Sequence, residues 1–234
     1  VWIDVPLDIQ RQDIDINKLK SFKPKKAREK NNYSYFGKII KSIKKSKKPI
    51  IVCGQGVKFS NTFGKIYNDI CLKYNIPILF TRGAQDLTSH KKKLVLGQAG
   101  IKGTAYCKKI MTQCDLVINF GSRLAPQFIG HNFDAFNKAK IISVDIEKDE
   151  LNKKGAKIGI KVNADLKIFI PKFLKELKKT KQLNFKNWGD YCDKVKLEKI
   201  KYTSYKKNPI DLYYFMSQLG NYSSKKHVLI TDAG

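Results

Sequence analysis

The chain has 234 residues, 42% of them hydrophobic, and 47 lysines and arginines against 20 acids give a formal net charge of +27. That apolar content excludes a disordered chain, and no apolar run reaches the roughly 18 residues of a membrane span. The charge would suit nucleic acid or an anionic membrane, but only four basic residues are arginine, the fork that grips phosphate and base edges, and lysines occupy every segment; this favours a solvated lysine surface, with neither partner.

Val1–Leu7 (VWIDVPL) alternates apolar with polar or small residues and reads as a strand with Pro6 near its end. Gln10–Lys30 is charged, poor in apolar residues and carries Pro24, so it reads as a linker. Tyr33–Ser46 sets Phe36, Ile39, Ile40 and Ile43 on one face, which predicts an amphipathic helix. Pro49–Cys53 is short and wholly apolar, as strands of covered parallel sheets are. Gly54-Gln55-Gly56 follows, then a helix from about Asn61 to Tyr74. Strand, GxG and helix in that order suit a phosphate-binding turn, but Phe59 stands where the third glycine of the full fingerprint belongs, and a tight turn without ligand is the competing reading.

Ile76–Thr81 is the next strand, Arg82–Lys93 a polar loop, and Leu94–Leu96 a short apolar strand. Gly97, Gly100 and Gly103 then recur at intervals of three, and Thr104 can cap the helix that runs to Gln113. Such glycines let a ligand approach the backbone, or simply make a turn. Asp115–Phe120 and Lys140–Ile146 are two more buried strands. Gly121-Ser122-Arg123 closes the first. Asp145 ends the second, where an acid can take ribose hydroxyls or cap the helix Lys148–Lys153. Ile158–Val162 is a final strand, and Asp165 can cap a helix from Leu166 to Leu177 in which Pro171 marks a kink or a start.

Six strands alternating with helices over residues 32–180 predict one α/β domain with a doubly wound, mostly parallel, Rossmann-like sheet. Residues 181–207 read as a connector with a helix around Trp188–Ile200. Asn208-Pro209 opens a helix that Gly220 stops, and His227–Thr231 begins another strand. Five cysteines, an odd number with no CxxC pair, fit the reduced thiols of a cytoplasmic protein better than a disulfide framework or a zinc site. The histidines His90, His131 and His227 lack metal-ligand spacing, and Asp86 reads as solvent-facing.

These segments, taken in order, resemble the middle of a thiamine-diphosphate-dependent enzyme of the acetolactate synthase family. VWIDVPLD is similar to the last strand of that family's pyrimidine-binding domain (residues 1–9, then a linker over 10–31). PIIVCGQG, LGQAGIKGT, FGSR, IISVDIEKDEL and NADL follow in the order of its central domain, and PIDLYYFMSQL and VLITDAG (within residues 208–234) resemble the start of its diphosphate-binding domain. The resemblance implies a carboligase in which two pyruvates give 2-acetolactate and carbon dioxide, thiamine diphosphate with Mg2+ as cofactor, and FAD in a non-redox role in the central domain. It puts the catalytic residues and the metal site outside this chain, so that the segment alone is inert. Carried over residue by residue, the FAD-lining positions are Gly100, Lys102, Gly103, Thr104, Gly121, Ser122, Arg123, Asp145, Ile146 and Asp165. Lys102 stands where the family commonly has histidine, and Gln127 where it has a second arginine. A 2-oxo acid substrate, a homodimer or homotetramer and a regulatory subunit are the implied partners. A related decarboxylase or lyase on another 2-oxo acid, and a stand-alone nucleotide-binding module, are the alternatives.

Overall fold

The structure is a computed structural model that describes residues 2–21, 34–130, 135–136, 139–155, 157–180, 183–197, 210–224 and 226–230. By contact clustering the chain forms two units, Val1–Asn32 and Tyr33–Gly234.

The first unit departs from its expectation. Residues 2–6 form no strand, and a single helical turn, α1, spans Leu7–Gln10. A strand needs a neighbour to take up its ladder of N–H and C=O groups, and among the described residues this segment has none: Trp2, Ile3 and Leu7 are all exposed. The same reasoning applies at the far end of the chain, where residues 227–230 are irregular and exposed instead of forming a strand. Residue 231 and the Asp232–Gly234 segment lie outside the described residues, as do Asn208, Pro209 and His131.

The second unit is built on six parallel strands: β1 Pro49–Cys53, β2 Ile78–Phe80, β3 Val95–Gln98, β4 Leu116–Phe120, β5 Lys140–Asp145 and β6 Ile158–Asn163. Their order across the sheet is β3-β2-β1-β4-β5-β6. β1 and β4 are wholly buried, as strands between two helical layers must be, whereas β6 alternates buried with exposed residues because it is an edge. All six predicted strands are present in a doubly wound α/β fold.

The helices are α2 Tyr35–Lys45, α3 Gln55–Ser60, α4 Phe63–Ile66, α5 Ala105–Gln113, α6 Pro126–Ile129, α7 Lys148–Asn152, α8 Leu166–Lys178, α9 Lys186–Leu197 and α10 Leu212–Tyr222. α2 and α8 pack on one side through an aromatic cluster of Phe36, Phe120, Phe169 and Phe173, with ring centroids 5.4–6.5 Å apart. α8 runs through Pro171 without ending. The helix expected from about Asn61 to Tyr74 is present from Phe63 onward, and a separate short helix, α3, precedes it. α3 starts directly after Gly54, Asn61 adopts a left-handed conformation at φ +52°, and a π-helical turn, Tyr67–Leu72, continues α4. Asn tolerates that conformation better than most residues, so it serves as the break. α10 is capped by Asp211, whose side chain accepts from Tyr214 N at 2.8 Å, and it continues through Gly220 to Tyr222. Gly220 meets nothing within 4 Å and has a helical backbone, so nothing there forces a stop. No helix among the described residues is long and apolar enough to cross a membrane.

Candidate functional site

The strand order reverses between β1 and β4, and in an open parallel sheet this reversal leaves a crevice beyond the C-terminal strand ends. A cleft of about 850 Å³ lies there. That volume is in the upper part of the range for small-molecule and cofactor sites. Its polar lining mixes the cations Arg82, Lys102, Arg123 and Lys167 with the acids Asp145, Glu147 and Asp165.

The floor is set by glycines in backbone contact. Gly54 N donates to Phe120 O at 2.9 Å, Gly56 N to Gly121 O at 3.0 Å and Gly121 N to Val144 O at 2.9 Å. A Cβ on Gly54 would lie 2.2 Å from Gly121 O, and one on Gly56 2.8 Å from Gly121 Cα. Gly121 itself is left-handed at φ +58°. The GxG turn therefore joins two strand ends. The N–H of Gly56 is committed to Gly121 and is not free to cradle a phosphate, so the tight-turn reading holds for this motif.

Beneath the floor Asn119 is fully buried and donates to Ser122 O at 2.7 Å and to Ser143 Oγ at 2.8 Å, while its Oδ1 has no partner. These bonds fix the Gly121–Arg123 turn from below. Ser122 Oγ accepts from Leu124 N at 3.3 Å. Arg123 Nε lies 3.4 Å from Glu150 Oε1, an ion pair with an exposed arginine and a partly buried glutamate, and such a pair adds little stability but does orient the guanidinium.

Asp145 is 7% exposed, and its carboxylate accepts from Glu147 N at 3.0 Å. It does not cap α7, whose N-cap is Glu147. The local bond uses part of one oxygen, so a buried carboxylate faces the cleft with acceptor capacity to spare. Ile146 beside it is 61% exposed on the same wall. Asp165 is the N-cap of α8, accepting from Lys167 N at 2.8 Å, and it also lines the cleft.

The glycine loop is positioned differently from the expectation. Lys102 lines the cleft together with Gln98, Ala99 and Ile101, but Gly100, Gly103 and Thr104 do not. Gly100, at φ +105°, packs on the backbone of Gln127 and Phe128, and Ile101 N donates to Gln127 O at 3.1 Å. Gly103 closes a turn on Gly100 O at 2.9 Å. Thr104 is the N-cap of α5 in backbone conformation only: its side chain makes no capping bond. The glycines here shape the loop, and the residues between them face the cleft.

All five cysteines are buried and free. Burial pushes the Cys114 thiol up to about 12 and Cys107 up to about 11, the neighbouring Thr104 hydroxyl holding the latter partly down. Cys53, Cys71 and Cys192 are also raised by burial. None is an activated nucleophile, since a thiolate forms only in an electropositive, accessible setting. Asp86 is exposed but paired with Lys58, which holds its carboxyl below the usual range.

A parallel sheet of order 3-2-1-4-5-6 with a cleft at its switch point is shared by many nucleotide-binding proteins, and comparison with known sequences decides among them. The family description "Thiamine pyrophosphate enzyme, central domain" matches residues 36–177. The chain belongs to this family. Curated relatives agree. The probable acetolactate synthase large subunit of Methanococcus aeolicus is 27% identical over 256 residues, covering 100% of this chain and 42% of that protein. The acetolactate synthase large subunit of Lactococcus lactis is 27% identical over 237 residues, covering 100% of this chain and 40% of its own length. A 3D-(3,5/4)-trihydroxycyclohexane-1,2-dione hydrolase from Geobacillus thermodenitrificans is 28% identical over 171 residues, 71% of this chain and 26% of that protein. The chain thus spans about two fifths of the first two relatives.

In this thiamine pyrophosphate enzyme domain, seven of the ten expected residues line one cleft: Lys102, Gly121, Ser122, Arg123, Asp145, Ile146 and Asp165. The opposite wall was not foreseen. Gln55, Phe59, Thr81 and Arg82 come from α3 and from the end of β2. Phe59 is 73% exposed there although it is aromatic. Its only signal in the sequence is its position, where the nucleotide fingerprint would have glycine.

Proposed function

We propose that this chain is the nucleotide-holding central part of a thiamine-diphosphate-dependent carboligase that joins 2-oxo acids, as acetolactate synthase joins two pyruvates to 2-acetolactate with loss of carbon dioxide. The observation that carries the nucleotide assignment is the buried Asp145 carboxylate at the end of β5, in a cleft of about 850 Å³ whose lining also includes the cations Arg82, Lys102, Arg123 and Lys167. An acid at that strand end suits ribose hydroxyls, and Lys102 and Arg123 supply point and fork charges for a diphosphate. The exposed Phe59 ring and Ile146 offer apolar faces for planar rings. These residues fit FAD. Asp145 would take the ribose, Lys102 and Arg123 the diphosphate, and Ser122 and Asp165 the neighbouring hydroxyls. FAD in that place serves structure and not net electron transfer. Lys102 and Gln127, which replace the histidine and arginine of the family pattern, leave one fork fewer on the phosphates. Thiamine diphosphate, with Mg2+, supplies the electron sink for 2-oxo acid chemistry, and the groups that activate it are expected in the domains flanking this one.

Support for the carboligase reading comes from the two acetolactate synthases that match the chain throughout. The similarity to the trihydroxycyclohexane-dione hydrolase supports, as a second reading, a related decarboxylase or lyase acting on another 2-oxo acid. Purified full-length protein, loaded with thiamine diphosphate and Mg2+, should convert pyruvate to acetolactate and should carry a flavin absorbance band near stoichiometric amounts. A protein that consumes other 2-oxo acids or diones but leaves pyruvate untouched would decide for the second reading. A protein that fails to bind FAD and ADP alike would remove the nucleotide assignment.

A further inference from the structure

Helix α9 lies outside the stretch matched by the family description, residues 36–177, yet its side chains bond the backbone of Lys92, Leu94 and Val95, where the edge strand that feeds the cleft begins. Asp193 accepts from Leu94 N through both carboxylate oxygens, at 2.9 and 3.1 Å. Lys196 Nζ donates to Lys92 O at 2.9 Å and to Val95 O at 3.1 Å, and lies 3.3 Å from Asp193. The side chain of Lys196, although long, is only 11% exposed and that of Asp193 20%. Ordering them costs entropy that an exposed pair would not recover. Gly189 brings the α9 backbone close: a Cβ there would sit 2.8 Å from Leu94 Cδ2 and 2.9 Å from Asn75 O.

The clamped segment is one that needs holding. Leu94 is a non-glycine residue at φ +61°, a conformation that costs energy and persists only where surroundings impose it. β3 is an edge strand, and its pairing with β2 is irregular: Ile78 opposes Val95, but Leu79 opposes Gly97, so Leu96 is an extra residue. The Leu96 carbonyl instead accepts from Tyr106 Oη at 2.7 Å and from the Cys107 thiol at 3.5 Å, at the start of α5. An edge strand has a ladder on one side only, and the bulge leaves its extra residue unpaired and interrupts that ladder. A slip of one residue would displace the following loop by about 3.3 Å and reverse the face of each side chain. That loop holds Gln98, Ala99, Ile101 and Lys102 against the cleft.

We infer that Asp193 and Lys196 are positioning residues for the cleft: they fix the register of β3 and thereby place the Gly97–Gly103 loop. The nucleotide consequence rests on the function proposed above. The register claim does not. Neither residue lines the cleft, so the pair acts through β3.

The test uses the full chain with Lys196→Met, Asp193→Ala, the milder Asp193→Asn and the conservative Lys196→Arg. Hydrogen exchange of peptides covering 94–104 and 116–120 is measured beside equilibrium binding of ADP and of FAD. Lys196→Met and Asp193→Ala should speed exchange over 94–104 about tenfold or more while 116–120 keeps its protection. ADP affinity should fall by about tenfold, as for loss of a positioned charged contact, and Lys196→Arg should restore both. Acceleration spread evenly over both peptides would reduce the pair to a general stabiliser and overturn the inference. A loosened loop with unaltered ADP and FAD affinity would overturn it as well. If the unmodified chain binds neither nucleotide, the nucleotide reading fails by itself, and the exchange measurement alone decides the register claim.

Discussion

Two glycine-to-alanine substitutions of opposite expected sign test the account of the switch point. Gly54 has an ordinary extended backbone, φ −100° and ψ −176°, so alanine carries no conformational penalty there. Its Cβ, however, would lie 2.2 Å from Gly121 O and 2.5 Å from both Ser122 Cα and Ser122 Cβ. The nearest obstacles are backbone atoms, which cannot swing aside. The ends of β1 and β4 would have to part by about an ångström, which strains or breaks the bonds Gly54 N to Phe120 O and Gly56 N to Gly121 O. Overpacking of this kind costs ~1–3 kcal/mol, and each lost hydrogen bond adds ~1 kcal/mol. We therefore expect Gly54→Ala to destabilise by ~3–5 kcal/mol. With a urea slope of ~2 kcal/mol/M, the midpoint of unfolding should drop by about 2 M. Gly37, near the start of α2, meets nothing within 4 Å. Gly37→Ala should stabilise by ~0.5–1 kcal/mol and raise the midpoint slightly. A midpoint for Gly54→Ala within about 0.5 M of the unmodified chain would refute the claim that these glycines exist for close backbone approach.

Asp145→Asn keeps the size and the local bond to Glu147 N but removes the charge; ADP affinity measured by calorimetry should fall about tenfold with little change in melting temperature. Asp165→Ala removes the α8 cap on Lys167 N and should cost ~1 kcal/mol in urea unfolding. The buried thiols predict a pH dependence. Cys107 and Cys114 titrate near 11 and 12 in the folded chain against an ordinary value of 9.0. Their contribution is fully present below pH 9 and is lost as pH rises, because unfolded thiols ionise first; each weakens folding by up to ~1.4 kcal/mol per pH unit above 9. Urea midpoints at pH 8 and pH 10 check this, and a thiol reagent at pH 8 should label the native chain far more slowly than the unfolded one.

Much of the framework was legible before folding. Apolar runs such as the wholly apolar Pro49–Cys53 and Leu116–Phe120, polar only at Asn119, admit few roles besides buried parallel strands, because such runs need cover on both faces. The alternation of such runs with amphipathic helices then selects a doubly wound sheet. Asp145 and the Gly121–Arg123 turn could be singled out because they stand at strand ends, where this architecture binds ligands. Only the tertiary structure decided which neighbours complete them. Gly54 and Gly56 carry the sequence signature of a phosphate loop, but the approach of Gly121 from a strand over sixty residues away commits the Gly56 N–H. Val1–Leu7 has a strand's pattern, but a strand exists only where a partner takes its hydrogen bonds, and pattern alone cannot supply one. The roles of Phe59, Arg82, Asp193 and Lys196 come entirely from long-range packing. Periodicity reports which face of an element is apolar. Which elements meet, and which polar groups their meeting leaves facing a cleft, depends on contacts across the sheet that no local pattern records.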